Sequence, residues 1–285
     1  MTPAANLANF VAEKFVKTAT PDLTALCRNL GLRIREVPAN GFDGALIRSK
    51  AGQKGIVAVK ASIFEKSRKR FTIAHEIGHF IIPHHRNLGN ICEERKIESF
   101  DSQLNRAEIE ANEFAAELLL PSAVLRKRFN LAEVSLSQIS AVAADFGTSL
   151  TATTRSFLTL TDLPCAMVWS VTNRARWFVR SDSFRFFLPL PELPANGSFA
   201  ARIFRGESAP SELAPVPSDA WLDRQAAEHV HTLLEHSISL PNYGAVLTLL
   251  WAYKVEPLPA GDEQEALLED LDPEDFTLNR RRWPR

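Results

Sequence analysis

Two histidines and a glutamate in one short stretch have types and a spacing that suit metal chemistry. Residues 71–82 read FTIAHEIGHFII, with His75 and His79 four positions apart and Glu76 directly after the first histidine. Because residues i and i+4 of an α-helix lie on one face, both imidazoles can reach one ion, and Glu76 can reach a water molecule beside it. The spacing predicts two zinc ligands and one general base.

The residues around this stretch favour a buried helix over a surface helix with two solvated histidines. Gly78 costs a helix about 1 kcal/mol relative to alanine, which indicates that another backbone passes close by. The helix also has an apolar side, formed by Phe71, Ile73, Ala74, Ile77 and Ile81.

A third protein ligand is needed for a catalytic zinc site with one open position. His85 has the spacing of the third histidine in a longer zinc signature, but Ile82 before Pro83 replaces the glycine turn of that signature. A residue before proline is pushed towards extended geometry, so His85 is predicted to be a solvated loop residue.

Glu108 on a later helix is the preferred third ligand, with Asn112 one turn further on to hydrogen-bond a ligating histidine. Glu110 ranks second because it faces away from Asn112. A capping box, in which Asn105 begins the helix and pairs with Glu108, is the competing structural interpretation.

Cys92 lies in the segment between the two helices that carry these ligands. Its thiolate could occupy the fourth zinc position in place of water and hold an enzyme inactive. An ordinary free cysteine in a reducing compartment is the alternative interpretation.

The periodicity of the chain predicts an α+β protein with several parts. Strand-like alternation precedes the first ligand helix, a helix–Gly147–helix unit follows the second, and a hairpin, an amphipathic helix over residues 218–238 and a buried strand come last. The predicted divisions are 1–125 (metal-binding domain), 126–163 (helix-turn-helix-like), 164–255 (α+β) and 256–285 (disordered tail, from its charge blocks and few apolar residues).

The segment RFTIAHEIGHF followed by EIEANEFAAELLLP resembles the paired signature of the ImmA/IrrE family of zinc metallopeptidases. The resemblance is closest over residues 1–125, and SLSQISAVAADFGTSLTATTRSFL with PCAMVWS resembles the helix-turn-helix and GAF-like regions of the IrrE branch. It implies a zincin-like domain of gluzincin type, in which a glutamate of the second helix, here Glu108, is the third ligand. It also implies cleavage of a helix-turn-helix repressor encoded nearby, which turns on DNA-damage, mobile-element or phage-defence genes.

Composition sets limits on partners. A net charge of −1 gives no overall attraction to nucleic acid or acidic membranes, three scattered cysteines suit a reducing cytoplasm, and no membrane-spanning or signal segment is predicted. The helix-turn-helix-like unit offers Arg155 and threonines but few cations, so packing between domains is its predicted role, with weak single-stranded DNA sensing as the functional alternative.

The last domain raises two further hypotheses. Six aromatic residues suggest the lining of a sensor pocket, although aromatic residues at strand spacing are more often core: Trp169, Trp177, Phe178, Phe184, Phe186 and Phe187. His229, His231 and His236 lie on the predicted 218–238 helix without matching partners, so they are interpreted as packing or surface residues.

The sequence therefore predicts a cytoplasmic zinc endopeptidase with Zn²⁺ on His75, His79 and Glu108, and with Glu76 as general base. The alternative is a non-catalytic sensor or transcription regulator with a structural zinc. A small-molecule hydrolase would need a closed pocket in place of a groove that accepts a peptide strand. Residues 55–61, GIVAVKA, are the candidate for such an accepting edge strand, with ordinary sheet core as the alternative.

Overall fold

The computed structural model describes residues 2–15, 20–87, 102–190 and 194–255. Its helices are α1 Pro3–Phe15, α2 Leu23–Asn29, α3 Lys66–Ile81, α4 Ser102–Leu119, α5 Ser122–Arg128, α6 Leu136–Phe146, α7 Leu150–Leu160, α8 Phe199–Phe204 and α9 Arg224–His229. Its strands are β1 Leu32–Val37, β2 Gly44–Arg48, β3 Gly55–Lys60, β4 Cys165–Val171, β5 Arg174–Arg180, β6 Ala214–Val216, β7 Val230–Leu240 and β8 Ala245–Val255. The predicted α+β class is confirmed.

The first sheet has three strands in the order β1-β3-β2. β3 pairs in parallel with β1 on one side and antiparallel with β2 on the other. The prediction that GIVAVKA forms the accepting edge was therefore wrong, because that strand is β3 and both of its edges are paired. The strand beside α3 that lies at a sheet edge is β2.

Helices α3 and α4 pack closely together over one shared core with the sheet and α1. A Cβ atom added at Gly78 would lie 3.1 Å from the ring of Phe114 on α4. The glycine thus makes room for a side chain of the neighbouring helix, and not for a passing backbone as predicted. This close approach allows α4 to carry its polar residues up to those of α3.

The helix-turn-helix-like unit is present as α6 and α7. Gly147 ends α6 in the left-handed conformation, with φ 62°, and Ser149 begins α7 by accepting a hydrogen bond from the Ala152 N–H. Helix α7 packs on β4 and β5, which leaves only Arg155 and Thr159 of this helix exposed. A packing role fits this burial, and nucleic-acid sensing by the unit stays a prediction.

The second sheet is antiparallel, in the order β5-β4-β8-β7-β6. The predicted β4–β5 hairpin turns through Thr172 and Asn173, both with positive φ. The amphipathic helix predicted over 218–238 was wrong: α9 ends at His229 and the chain continues as β7. The reason is tertiary, because β7 pairs with β8 along its length and with β6 on its other edge, and this pairing overrides a helical periodicity.

Two apolar clusters cover the opposite faces of this sheet, and they divide the six aromatic residues of the hypothesised pocket. Phe184 and Phe186 are buried in one cluster, with Phe178 against it, whereas Trp169 and Trp177 belong to the other. Phe187 is 63% exposed. The six therefore line no common pocket.

The cluster on the Trp169 face also contains residues of α5, α6 and α7. The helical unit and the second sheet thus share a core across residue 164, and the four domain divisions stay predictions. In the described part of the chain, no helix has the length and apolar character to cross a membrane. The predicted disordered tail, residues 256–285, lies outside the described residues.

Candidate metal centre

Helix α3 places His75 and His79 one turn apart on its side that faces α4. The helix ends where Ile82 adopts extended geometry before Pro83, so both histidines lie in its last two turns. Their Nε2 atoms are 3.0 Å apart. Two ring nitrogens that converge in this way suit a shared cation, because two N–H groups would repel each other at this distance.

Glu108 reaches the same point from α4. Its carboxylate oxygens lie 3.2 Å from Nε2 of His75 and 3.3 Å from Nε2 of His79. Tetrahedral zinc with bonds of about 2.0 to 2.2 Å separates its ligand atoms by about 3.3 to 3.6 Å. Each imidazole thus lies close to the separation that zinc requires from a different oxygen of the carboxylate, and these three residues could hold a metal ion.

The competing capping-box interpretation of Glu108 was wrong. α4 begins at Ser102, so Asn105 lies inside the helix and does not begin it. Burial raises the pKa of Glu108, but its close contacts with His75 and His79 outweigh burial and hold the pKa below the usual range for a glutamate. The carboxylate is accordingly charged at neutral pH and suited to bind a cation.

Asn112 lies one turn after Glu108 and contacts the nitrogen of His75 that does not point at the other candidate ligands. Its Oδ1 is 3.0 Å from Nδ1 of His75 and accepts the Nδ1–H of that ring. The proton on Nδ1 leaves the Nε2 lone pair free to point at the ion. The structure therefore brings Asn112 to the place where its predicted role needs it.

Glu76 is 1% exposed, and its Oε2 has no hydrogen-bond partner among the described residues. Burial raises its pKa to about 7, against the opposing effect of His75. A buried carboxylate oxygen without a partner is costly in a folded protein and indicates a role outside packing. The group is suited to take a proton and give it up near neutral pH.

Strand β2 runs beside this glutamate. A Cβ atom added at Gly44, the first residue of β2, would lie 2.8 Å from Oε1 of Glu76 and 2.4 Å from the Thr72 side chain. At the other end of β2, Arg48 donates hydrogen bonds to the carbonyl oxygens of His79 and Phe80, the latter at 3.2 Å. The edge strand β2 thus contacts helix α3 at both of its ends.

His85 and Glu110 lie elsewhere than predicted. The prediction that His85 is solvated was wrong, since it is 2% exposed and its Nδ1 lies 3.0 Å from Nδ1 of His79. Glu110, the second choice for third ligand, instead meets His85 and His84. Sequence reasoning missed this contact because the turn over Pro83–Asn87 folds back on α3, and a spacing of six residues matches no helical repeat.

Other predicted metal residues are separate from this centre. Cys92 lies outside the described residues, so its role as a fourth ligand stays a prediction. Within the described ranges, His229, His231 and His236 belong to no group of three metal-binding side chains. They are distributed over α9 and β7, and not along one helix.

Comparisons with known proteins give one family match and a similarity of fold. Residues 27–156 match the model of the peptidase M78 family, described as the IrrE N-terminal-like domain. A solved Mycobacterium tuberculosis transcriptional regulator has a TM-score of 0.50 and 11% identity, over 88% of this chain and 76% of that chain, which shows similarity of fold alone. No curated protein sequence matches the chain. The residues of the candidate metal centre, His75, His79 and Glu108, therefore lie within the segment that matches the IrrE N-terminal-like domain of the peptidase M78 family.

Proposed function

We propose that this chain is a zinc-dependent endopeptidase that acts in the cytoplasm on a helix-turn-helix transcriptional repressor. The observation that carries the proposal is the convergence of two imidazole nitrogens and the two oxygens of one carboxylate, at 3.0 to 3.3 Å, beside a buried glutamate oxygen that has no partner among the described residues. A structural zinc site has no use for that glutamate.

The residues fit zinc in type and separation. Nε2 of His75, Nε2 of His79 and the carboxylate of Glu108 would hold the ion, which leaves one position open. Zinc bound there supplies a Lewis acid that acidifies a water molecule and polarises a peptide carbonyl. Glu76 accepts the proton of the attacking water on Oε2 and then delivers it to the leaving amine nitrogen.

An extended peptide is the substrate shape that suits the surroundings of Glu76. β2 forms an edge of the first sheet, so a substrate strand that added to it would run beside α3. Because Gly44 of β2 lies against Glu76, the backbone of such a strand would pass the general base. This position supports an endopeptidase over a small-molecule hydrolase.

The repressor substrate follows from the family resemblance. Members of the ImmA/IrrE family typically cleave a repressor encoded beside them, and the M78 match supports the same substrate class here. We propose that cleavage derepresses DNA-damage or phage-defence genes after a signal, which the C-terminal part of the chain would receive. That part spans the second sheet, β4 to β8.

The test is co-expression of the full chain with the helix-turn-helix repressor encoded nearby, with zinc measured on each purified protein. Wild type should cleave the repressor and Glu76→Gln should not, while both retain one zinc per chain. Glu228→Gln is the matched control, because the Glu228 side chain is 69% exposed and lies on α9.

Two results would overturn the proposal. Zinc without cleavage by wild type, with and without DNA damage, would favour the non-catalytic regulator with a structural zinc. Cleavage that persists in Glu76→Gln would remove Glu76 as general base.

A further inference from the structure

A chain of hydrogen bonds runs from the metal-facing histidine His79 into the protein. Nδ1 of His79 lies 3.0 Å from Nδ1 of His85, and Nε2 of His85 lies 3.1 Å from Oε2 of Glu110. The His85 side chain is fully buried. No bulk solvent therefore competes for either of its ring nitrogens.

The geometry of the site determines which ring nitrogens of His79 and His85 carry protons when a metal is bound. Nε2 of His79 points at Nε2 of His75 and at Glu108, so it must offer a lone pair to bind a metal, and its proton must be on Nδ1. Nδ1–H of His79 then donates to Nδ1 of His85, and the proton of His85 must be on Nε2. That Nε2–H donates to the Glu110 carboxylate. Every donor in this arrangement meets one acceptor.

Glu110, the last residue in this series of hydrogen bonds, is held by further contacts. Arg106, one turn earlier on α4, donates its Nε–H to Oε1 of Glu110 at 3.0 Å. Nε2 of His84 lies 2.5 Å from the other carboxylate oxygen. The carboxylate is thus oriented towards His85 by groups from both α4 and the turn after α3.

We propose that His85 and Glu110 are positioning residues that fix the tautomer and ring orientation of His79 for zinc. In many metal sites a carboxylate or carbonyl accepts the distal N–H of a ligating histidine directly. Here a buried imidazole stands between the ligand and the carboxylate. The inference rests on the proposed zinc function and adds the residues that hold one of its ligands.

A second metal ion on His84, His85 and Glu110 is the rival use of the same cluster, since these groups also converge. Metal on Nε2 of His85 would place the proton of this ring on Nδ1. The Nδ1–H of His85 would then face the Nδ1–H of His79, so that two donors would lie 3.0 Å apart with no acceptor between them. The observed contact therefore favours the positioning role when His79 binds zinc.

The experiment measures zinc affinity of the full chain by competition with a chromophoric chelator, together with the visible spectrum of the cobalt-substituted protein. His85→Phe keeps the ring volume but offers no acceptor, so zinc affinity should fall about 10- to 100-fold and the cobalt spectrum should change. His85→Asn places an amide oxygen near the position of Nδ1, so it should restore most of the affinity. His236→Phe, another buried histidine far along the chain on β7, is the matched control and should bind zinc as wild type does.

The possible results distinguish a failure of the positioning role from a failure of the proposed zinc function. A wild-type chain without zinc would overturn the proposed function. Wild-type zinc affinity in both His85→Phe and His85→Asn would overturn the positioning role alone. Two zinc ions per wild-type chain, with one lost in His84→Asn, would assign the cluster to a second metal site. If His85→Phe fails to fold, weaker zinc binding by Glu110→Ala with an intact thermal transition supports the role, and unchanged binding overturns it.

Discussion

Two buried glutamates, one in each half of the molecule, have opposite surroundings. Glu235 on β7 is fully buried, and both of its oxygens are bonded: Oε1 accepts the Ala200 N–H at 2.7 Å and the Ser237 hydroxyl at 2.6 Å, and Oε2 accepts the Trp221 Nε1–H at 2.6 Å. Glu76 is equally buried but has an oxygen with no partner among the described residues.

These surroundings distinguish a buried carboxylate that stabilises the fold from one that is available for chemistry. A carboxylate whose oxygens are all bonded recovers much of its desolvation cost in the folded state and joins the elements that donate to it. One whose oxygen is left unpaired keeps that cost, which indicates that its partner is a substrate or a water molecule. We therefore expect substitutions at the two positions to affect different measurements.

The largest expected effect is on catalysis at Glu76. Glu76→Gln removes the proton acceptor, so repressor cleavage should fall about 10²- to 10⁴-fold, as for other general bases. Since Oε2 has no hydrogen bond to lose within the described part of the chain, the free energy of unfolding should change by less than about 1 kcal/mol. Cleavage assays and denaturant unfolding of the same preparation check both parts. A large loss of stability with cleavage intact would show that Glu76 stabilises the fold, as Glu235 does.

The reverse result is expected at Glu235. Glu235→Ala leaves the Trp221 Nε1–H and the Ala200 N–H buried without acceptors, which should cost about 2 to 4 kcal/mol of unfolding free energy. Zinc affinity should not change, because Glu235 is on the second sheet and the candidate metal ligands are on α3 and α4. Urea unfolding and zinc titration measure the two quantities. Loss of zinc at temperatures where the variant is folded would contradict the separation.

A smaller effect is expected at Asn112. Asn112→Ala removes the acceptor of the His75 Nδ1–H, so zinc affinity should fall about 10- to 100-fold. Asn112→Asp keeps an oxygen at this place and should recover the affinity. Chelator competition measures both variants. Equal affinity of Asn112→Ala and wild type would show that His75 needs no support from α4.

The smallest effect is expected at Gly78. Gly78→Ala gains about 1 kcal/mol in helix propensity, but the new Cβ meets the Phe114 ring at 3.1 Å, and such overpacking costs about 1 to 3 kcal/mol. The net change should be a destabilisation of about 1 kcal/mol, and Gly78→Ala with Phe114→Leu should recover it. Thermal unfolding of the single and double variants checks the pair. A more stable single variant would show that α3 and α4 separate freely.

Much of the candidate site could be predicted from the sequence, because helix geometry is local. The spacing of His75 and His79 within one helix places both rings on one face, and Glu108 with Asn112 follows the same rule on α4. The residue preferred as third ligand is the one that the structure brings to both histidines. The spacing could not predict how closely α3 and α4 pack against each other. Gly78, which lies opposite Phe114, shows that this packing is close.

Contacts between distant segments, in contrast, could not be derived from spacing. The helical periodicity over 218–238 gave way to β7, because an ordered ladder with β8 outweighs a local preference. Trp169 and Phe184 were grouped as one pocket although they cover opposite faces of the sheet. Strand order in the first sheet likewise decided that β2, and not β3, lies at the edge.

Residue types at helical or motif spacing were enough to predict the α+β class, the family that residues 27–156 match, and His75, His79 and Glu108 as a candidate metal-binding set on α3 and α4. The contacts of His85 with His79 and with Glu110, in contrast, became known from the tertiary structure alone. The physical reason is that a hydrogen bond between residues of separate segments depends on where the chain folds, and no periodicity of the sequence encodes that position.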